Sequence, residues 1–219
     1  MTDMPISLTS ILFTLIIGLA GALLMFAGDM LLYYDRNDFK HDGTLQPIID
    51  IMKKLPARRV ILGGLIGPIA AFLYCIGFYH MVLISDPSYH TLAFIGFLSC
   101  CLGIIAGGAY HSHCAYLGLL GQDEQKDDLK IVTDYFQKLP LIMYLFEGIG
   151  LLILIFLFIA RKTILPARMF LITPGVLFLF RSPARKLPKG LHMILCGGFT
   201  NVIFIIYYLI MVILFVSLI

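Results

Sequence analysis

The chain has 219 residues, 60% hydrophobic and 13% charged, with a formal net charge of +3. A soluble domain averages about 25% charged residues, so there is too little charge here to cover a water-facing surface. Soluble globular, disordered, collagen-like and disulfide-scaffold classes are excluded. The mean hydropathy of +0.95 leaves an all-α polytopic membrane protein, read as one domain over residues 1–219 with six transmembrane helices in a single bundle.

The first apolar stretch runs from Leu8 to Tyr34. No Lys or Arg precedes it, and its uncharged run from Met4 to Gly28 exceeds the apolar core of a signal peptide, so it reads as a retained span. The second covers 60–84, and the third begins near Tyr89 and continues to about Gly121, long enough to tilt. The fourth covers 139–160. The fifth, 164–180, is the weakest, with Arg168 near one end and Pro174-Gly175 in its middle. The sixth covers 191–219.

Loop charge sets the orientation. The segments 35–59, 122–138 and 181–189 hold six, three and four Lys/Arg, while the remaining turns hold three. The positive-inside rule places the three basic segments in the cytoplasm and both termini outside, in keeping with an even number of spans. Two basic segments carry amphipathic stretches. Leu45, Ile48, Ile49, Met52 and Leu55 follow helical spacing, as do Leu129, Val132, Phe136 and Leu139. Each fits a short interfacial cytoplasmic helix, or an extension of the span that follows. The tripeptide Lys-Leu-Pro recurs at 54–56, 138–140 and 186–188, where spans two, four and six begin. That recurrence suits three repeated units, and also suits the plain preference for lysine at the interface and proline in a first helical turn.

Ionisable groups within these spans are the most informative residues. Each costs at least about 2.5 kcal/mol at a helix centre and needs partners. At 1.5 Å per residue, Asp29 lies about 8 Å into span one, Glu147 about 11 Å into span four, and His111 and His113 about 12–15 Å into span three, each counted from the cytoplasmic end. Thr200 and Asn201 lie about 15 Å into span six. Four helices thus bring polar side chains to similar depth. Gly103, Gly107, His111 and Ala115 form a small-residue stripe that admits a neighbouring backbone. His113 stands about 200° away around the helix, so His111 is the preferred partner and His113 the second choice.

The expectation is a polar cavity open to the cytoplasm. Asp29, His111 and Glu147 are its candidate catalytic groups, and His113, Thr200 and Asn201 its candidate substrate-binding groups. The competing reading is a structural network that ties helices together. His80 and His90 flank the short outer turn and read as wet interfacial residues. Cys75, Cys100, Cys101, Cys114 and Cys196 all lie in apolar stretches and read as small core residues. No G-x-S-x-G elbow, H-E-x-x-H pair or phosphate loop occurs. No metal site is assigned, no motif specifies a cofactor, and basic-aromatic interleaving for nucleic acid is missing.

The stretches FAGDMLLYY, DGTLQPIIDIM, GGLIGPIAAFLYCIGFYH and GGAYHSH resemble those of a group of bacterial multi-pass membrane proteins with no assigned activity. That resemblance implies a bacterial cytoplasmic membrane and covers most of the chain. GDMLL is also similar to the Gly-Asp-x-x-Leu pattern of lysoplasmalogenase-type membrane hydrolases. Those proteins are longer with more spans, and their activity is not carried over. The lipid bilayer is the expected partner. Three functions fit: an enzyme acting on a lipid at the inner leaflet, a small proton-coupled transporter, and a non-catalytic subunit or sensor.

Overall fold

The computed structural model describes residues 8–34, 46–120, 135–184 and 187–217. In chain order its helices are α1 (Leu8–Tyr33), α2 (Gln46–Met52), α3 (Ala57–Phe78), α4 (His80–Leu83), α5 (His90–Leu120) and α6 (Lys138–Ile159). A broken segment follows, made of a 3-10 turn (Ala167–Ile172), α7 (Pro174–Leu177), a second 3-10 turn (Phe178–Phe180) and α8 (Arg181–Ala184). The chain ends in α9 (Lys189–Gly197) and α10 (Phe199–Val216).

Five helices among the described residues are long and apolar enough to cross a membrane: Leu8–Tyr33, Ala57–Leu83, Pro87–Leu120, Lys138–Ile159 and Phe199–Val216. Outward-facing Phe13, Leu65, Phe72, Leu141 and Leu152 are each more than half exposed, a surface suited to hydrocarbon rather than water. Five of the six expected spans coincide with these helices, and the fifth stretch forms no continuous helix. The fifth stretch is apolar enough, but its prolines prevent a single helix. Pro166 and Thr173 are both extended, with ψ of 148° and 146°, and Thr173 precedes Pro174, whose ring disfavours a helical residue before it. The sixth stretch is also divided, at Gly198 (φ −120°, ψ 23°).

Helices α10, α1, α3, α5 and α6 pack in that order, each against the next. The broken segment touches both α6 and α10 and completes the ring. Small residues set the spacing. A Cβ on Gly67 would stand 2.3 Å from His111 Cβ and 2.9 Å from the Gly108 carbonyl, and one on Gly64 would stand 2.4 Å from Ala115 Cβ. A Cβ on Gly103 would meet Glu147 Cγ at 2.6 Å. The stripe on α5 therefore serves two neighbours: Gly103 and Gly107 admit α6, while His111 and Ala115 settle against α3.

One end of the ring carries most of the described basic residues. There Arg59 donates from Nε to the Leu31 carbonyl (2.9 Å) and from Nη2 to those of Met30 (2.9 Å) and Tyr34 (2.7 Å). Carbonyls at a helix C-terminus lack intrahelical donors, though that of Met30 also accepts from Tyr34 N–H (3.2 Å), and a cation suits that pole of the helix dipole. The segment expected as an interfacial helix includes α2, which docks through buried Ile49, Ile51 and Met52 against Leu32, Tyr33, Val60 and Leu117. Of the second amphipathic stretch, Leu129 and Val132 lie outside the described residues, and Phe136 and Leu139 are buried. Pro56 and Pro188 directly precede α3 and α9, and Pro140 falls in the first turn of α6. Cys100, Cys101 and Cys114 are buried, Cys75 is half-buried, and the Cys196 side chain lies outside the description.

At the opposite end, α6 closes with a Schellman arrangement, Lys162 N–H to the Leu157 carbonyl (2.8 Å) and Arg161 N–H to that of Phe158 (3.0 Å). Thr163 then bridges to Ser85, flanked by bonds between Asp86 and Lys162 and between Ile164 and Ile84. Asp86 accepts from both Ser88 N–H (2.9 Å) and Ser88 Oγ (2.5 Å), which holds its carboxyl below the usual range. Arg161 adopts φ 56°, a left-handed position that disfavours every residue with a Cβ. Replacing it by glycine relieves that strain, so Arg161→Gly is expected to raise stability by about 1 kcal/mol, read as a higher Tm in detergent. Gly67→Ala is expected to do the reverse by about 1–3 kcal/mol through overpacking against backbone, whereas Gly148→Ala, where a Cβ meets nothing within 4 Å, is tolerated.

Candidate functional site

Asp29 is the centre of a buried cluster. It lies on the last turns of α1, almost fully enclosed. Tyr33, one turn later on the same helix, donates its hydroxyl to Oδ1. His111 Nε2 on α5 lies 3.1 Å from the same oxygen. Asn201 Nδ2 on α10 donates to Oδ2 at 2.7 Å. The Asn201 carbonyl oxygen accepts in turn from Tyr74 of α3 at 2.9 Å. A carboxylate in apolar surroundings is retained only when its lone pairs are met in this way. Among the described residues His111 Nδ1 has no partner and packs beside Gly28, so the ring proton belongs on Nε2, where it has an acceptor.

Glu147 of α6 is buried to a similar degree, with Oε1 unpartnered among the described residues. Its side chain reaches the interior because Gly103 leaves room for it. Asp29, His111, Glu147, Thr200 and Asn201 all line one cavity of about 140 Å³ at the basic end, together with Tyr33, Tyr110, Tyr144 and Arg181. Five consecutive residues, Gly197 to Asn201, contribute to its wall. The cavity therefore meets α10 at its N-terminal end.

Of the six candidates from the sequence, five share this wall. His113 does not: its Nδ1 bonds the Ala109 carbonyl at 2.8 Å and its ring faces Tyr135. Helical angle already separated it from His111. Sequence reading missed Tyr33 and Tyr74. The spacing of four between Asp29 and Tyr33 was a usable signal, since side chains so placed meet on one helix face. Arg181 was counted only as loop charge. Its guanidinium sits over the rings of Tyr144 (5.8 Å) and Phe178 (5.4 Å), with Nη1 3.4 Å from the Tyr144 hydroxyl.

Tyr144, Glu147, Arg181 and Thr200 also belong to the wall of a second cavity. This one measures about 420 Å³ and is otherwise almost wholly apolar, lying between α6, α7 and α10. A small polar chamber and a larger apolar groove thus share one boundary, and Glu147 stands on it.

The chain belongs to a family of unknown function, DUF6796, whose model matches residues 4–218. The match accords with the resemblance to a group without an assigned activity. No curated protein and no solved structure matches the chain.

His80 corrects a sequence expectation in this family member. It is fully buried rather than wet, with Nδ1 2.6 Å from the Gly77 carbonyl and Nε2 2.6 Å from the Tyr207 hydroxyl. His90 bonds the Ser85 carbonyl instead, at 3.2 Å. Among the described residues no three His, Cys, Asp or Glu side chains gather as metal ligands.

The Tyr74–Asn201–Asp29 chain predicts strong coupling. Tyr74→Phe and Asn201→Leu should each destabilise by about 1–3 kcal/mol, because a buried polar partner is stranded. The double variant should lose less than the sum by at least about 0.5 kcal/mol, as measured by equilibrium unfolding in detergent.

Proposed function

We propose that the chain is a membrane-embedded hydrolase acting on a lipid taken from the leaflet at its basic end. The positive-inside rule makes that leaflet the cytoplasmic one. The broken segment is read as a sixth, interrupted crossing. It starts at the Thr163–Ser85 bridge and ends with Arg181 beside Tyr144, near the opposite end of α6. Both termini then lie outside.

The observation that carries the reading is the shared boundary between the polar chamber and the apolar groove. A lipid chain in the groove brings a bond of its polar region against Glu147, with the Asp29–His111 pair across the chamber. The two carboxyls differ in surroundings, as an acid and a base require. Asp29 receives donors on both oxygens and acts as the anionic member. Glu147, with Oε1 free of donors, acts as the proton-carrying member. Water adds to the electrophilic atom of the lipid while the Asp29–His111 pair takes its proton. Glu147 gives a proton to the leaving oxygen, and proton return through the chamber restores both groups.

Asp29→Asn and Glu147→Gln should each lower lipid hydrolysis by about 10²–10⁴-fold, the usual weight of a general acid or base, with the unfolding transition retained. An unchanged whole-cell lipid profile in a deletion strain and in these variants would remove the reading.

A proton-coupled carrier is the second reading, favoured by the buried His80–Tyr207 pair. That pair adds an ionisable side chain to the half of the bundle remote from Asp29. Proteoliposomes that acidify in response to a pH gradient, with wild type but not His80→Phe, would support it.

A further inference from the structure

The apolar groove is polar at one end. Its charge-bearing side chains are Arg181 and Glu147, both toward the basic end, and beyond them its walls are apolar, with Leu151 and Ile155 on α6 and Phe204 on α10. Among the described residues Arg181 pairs with no carboxylate. Its guanidinium is held over Tyr144 and Phe178 by ring contacts, which leaves N–H groups for an acceptor from outside. An arginine at the membrane border lies where lipid phosphates are concentrated.

Helix α6 gives a scale along the groove. From Tyr144, where Arg181 rests, Glu147 is one turn further, about 4.5 Å, Leu151 about 10 Å and Ile155 about 16 Å. A glycerolipid has the same order: phosphate, then the acyl ester a few bonds below it, then the chain. We propose that the groove takes one chain of a phosphate-bearing glycerolipid, with Arg181 on the phosphate and the acyl ester at Glu147 and Thr200. The phosphate stays at the mouth, since the chamber beyond holds the Asp29 carboxylate, which repels it. The binding assignment stands on the groove, while the ester assignment rests on the hydrolase reading. In that step the oxygen of water bonds the acyl carbon and the acyl carbon–oxygen bond breaks. The glycerol oxygen takes the proton, giving a fatty acid and a phosphoglycerol.

The test uses the full chain in detergent with three probes: 1-palmitoyl lysophosphatidate, monopalmitoylglycerol, and glycerol 3-phosphate. Lysophosphatidate should bind at least about tenfold tighter than either of the others, the weight of a charge-assisted contact. Arg181→Gln should abolish that preference, and Arg181→Lys should keep part of it. Equal binding of monopalmitoylglycerol overturns the phosphate contact. Equal binding of glycerol 3-phosphate overturns the lipid in favour of a free phosphate compound. Should Arg181→Gln lose its cooperative unfolding transition, Leu151→Trp is the second variant. It should weaken both chain-bearing probes and leave glycerol 3-phosphate unchanged, and wild-type binding of lysophosphatidate by it overturns the groove. Palmitate release is followed in the same samples. Arg181-dependent binding without release defeats the hydrolase reading and leaves the binding site standing. Equal release from monopalmitoylglycerol sustains the hydrolase and overturns the phosphate assignment.

Discussion

A carboxylate taken out of water must be met by donors, and in this chain that requirement falls on Asp29. Its donors come from three helices: Tyr33 from α1, His111 from α5 and Asn201 from α10. Tyr74 of α3 satisfies the far side of Asn201, so four helices meet through one side chain. The glycines follow from this. His111 reaches Asp29 only because Gly67 and Gly28 carry no side chain where its Cβ and ring sit. Gly198 brings the start of α10 close, a Cβ there falling 3.3 Å from Asp29 Oδ2. A buried polar network of this kind specifies one arrangement of helices, since any other leaves members unpaired.

The site exists because the ring has one imperfect wall. Four of its contacts are helix against helix at glycine spacing, which leaves little space between them. Where α6 and α10 should be joined by a further helix, prolines divide the chain into short pieces. Those pieces cover the gap without filling it, and the groove remains. The polar chamber lies beside the groove because Glu147 and Thr200 face that same gap. The irregular backbone of that segment lines the groove.

Away from Asp29 the interior is aromatic. Tyr74, Phe78, Phe204 and Tyr208 pack edge to face and in offset stacks, with centroids 5.3 to 6.2 Å apart. His80 is part of this interior. Its place near a short turn suggested a wet interface, and hydropathy had no means of seeing otherwise. A histidine three residues beyond a glycine near a helix end looks the same whether it faces water or Tyr207. The spacing that put Asp29, His111, Glu147 and Asn201 at a common depth was visible because depth along a helix is a count of residues.

What the sequence determined by itself were quantities that add along the chain: the apolar lengths that make α1, α3, α5, α6 and α10 long enough to span a membrane, the depth of each polar group, and the prolines that weaken the fifth stretch. Which way each helix turns its faces is decided by all its neighbours together. The helical angle along α5 had already favoured His111 over His113, and tertiary structure alone set the His111 Nε2 against Asp29. It also joined Tyr33 and Tyr74 to the cluster, buried His80, and set Arg181 at the mouth of a groove that residues from three separate segments enclose.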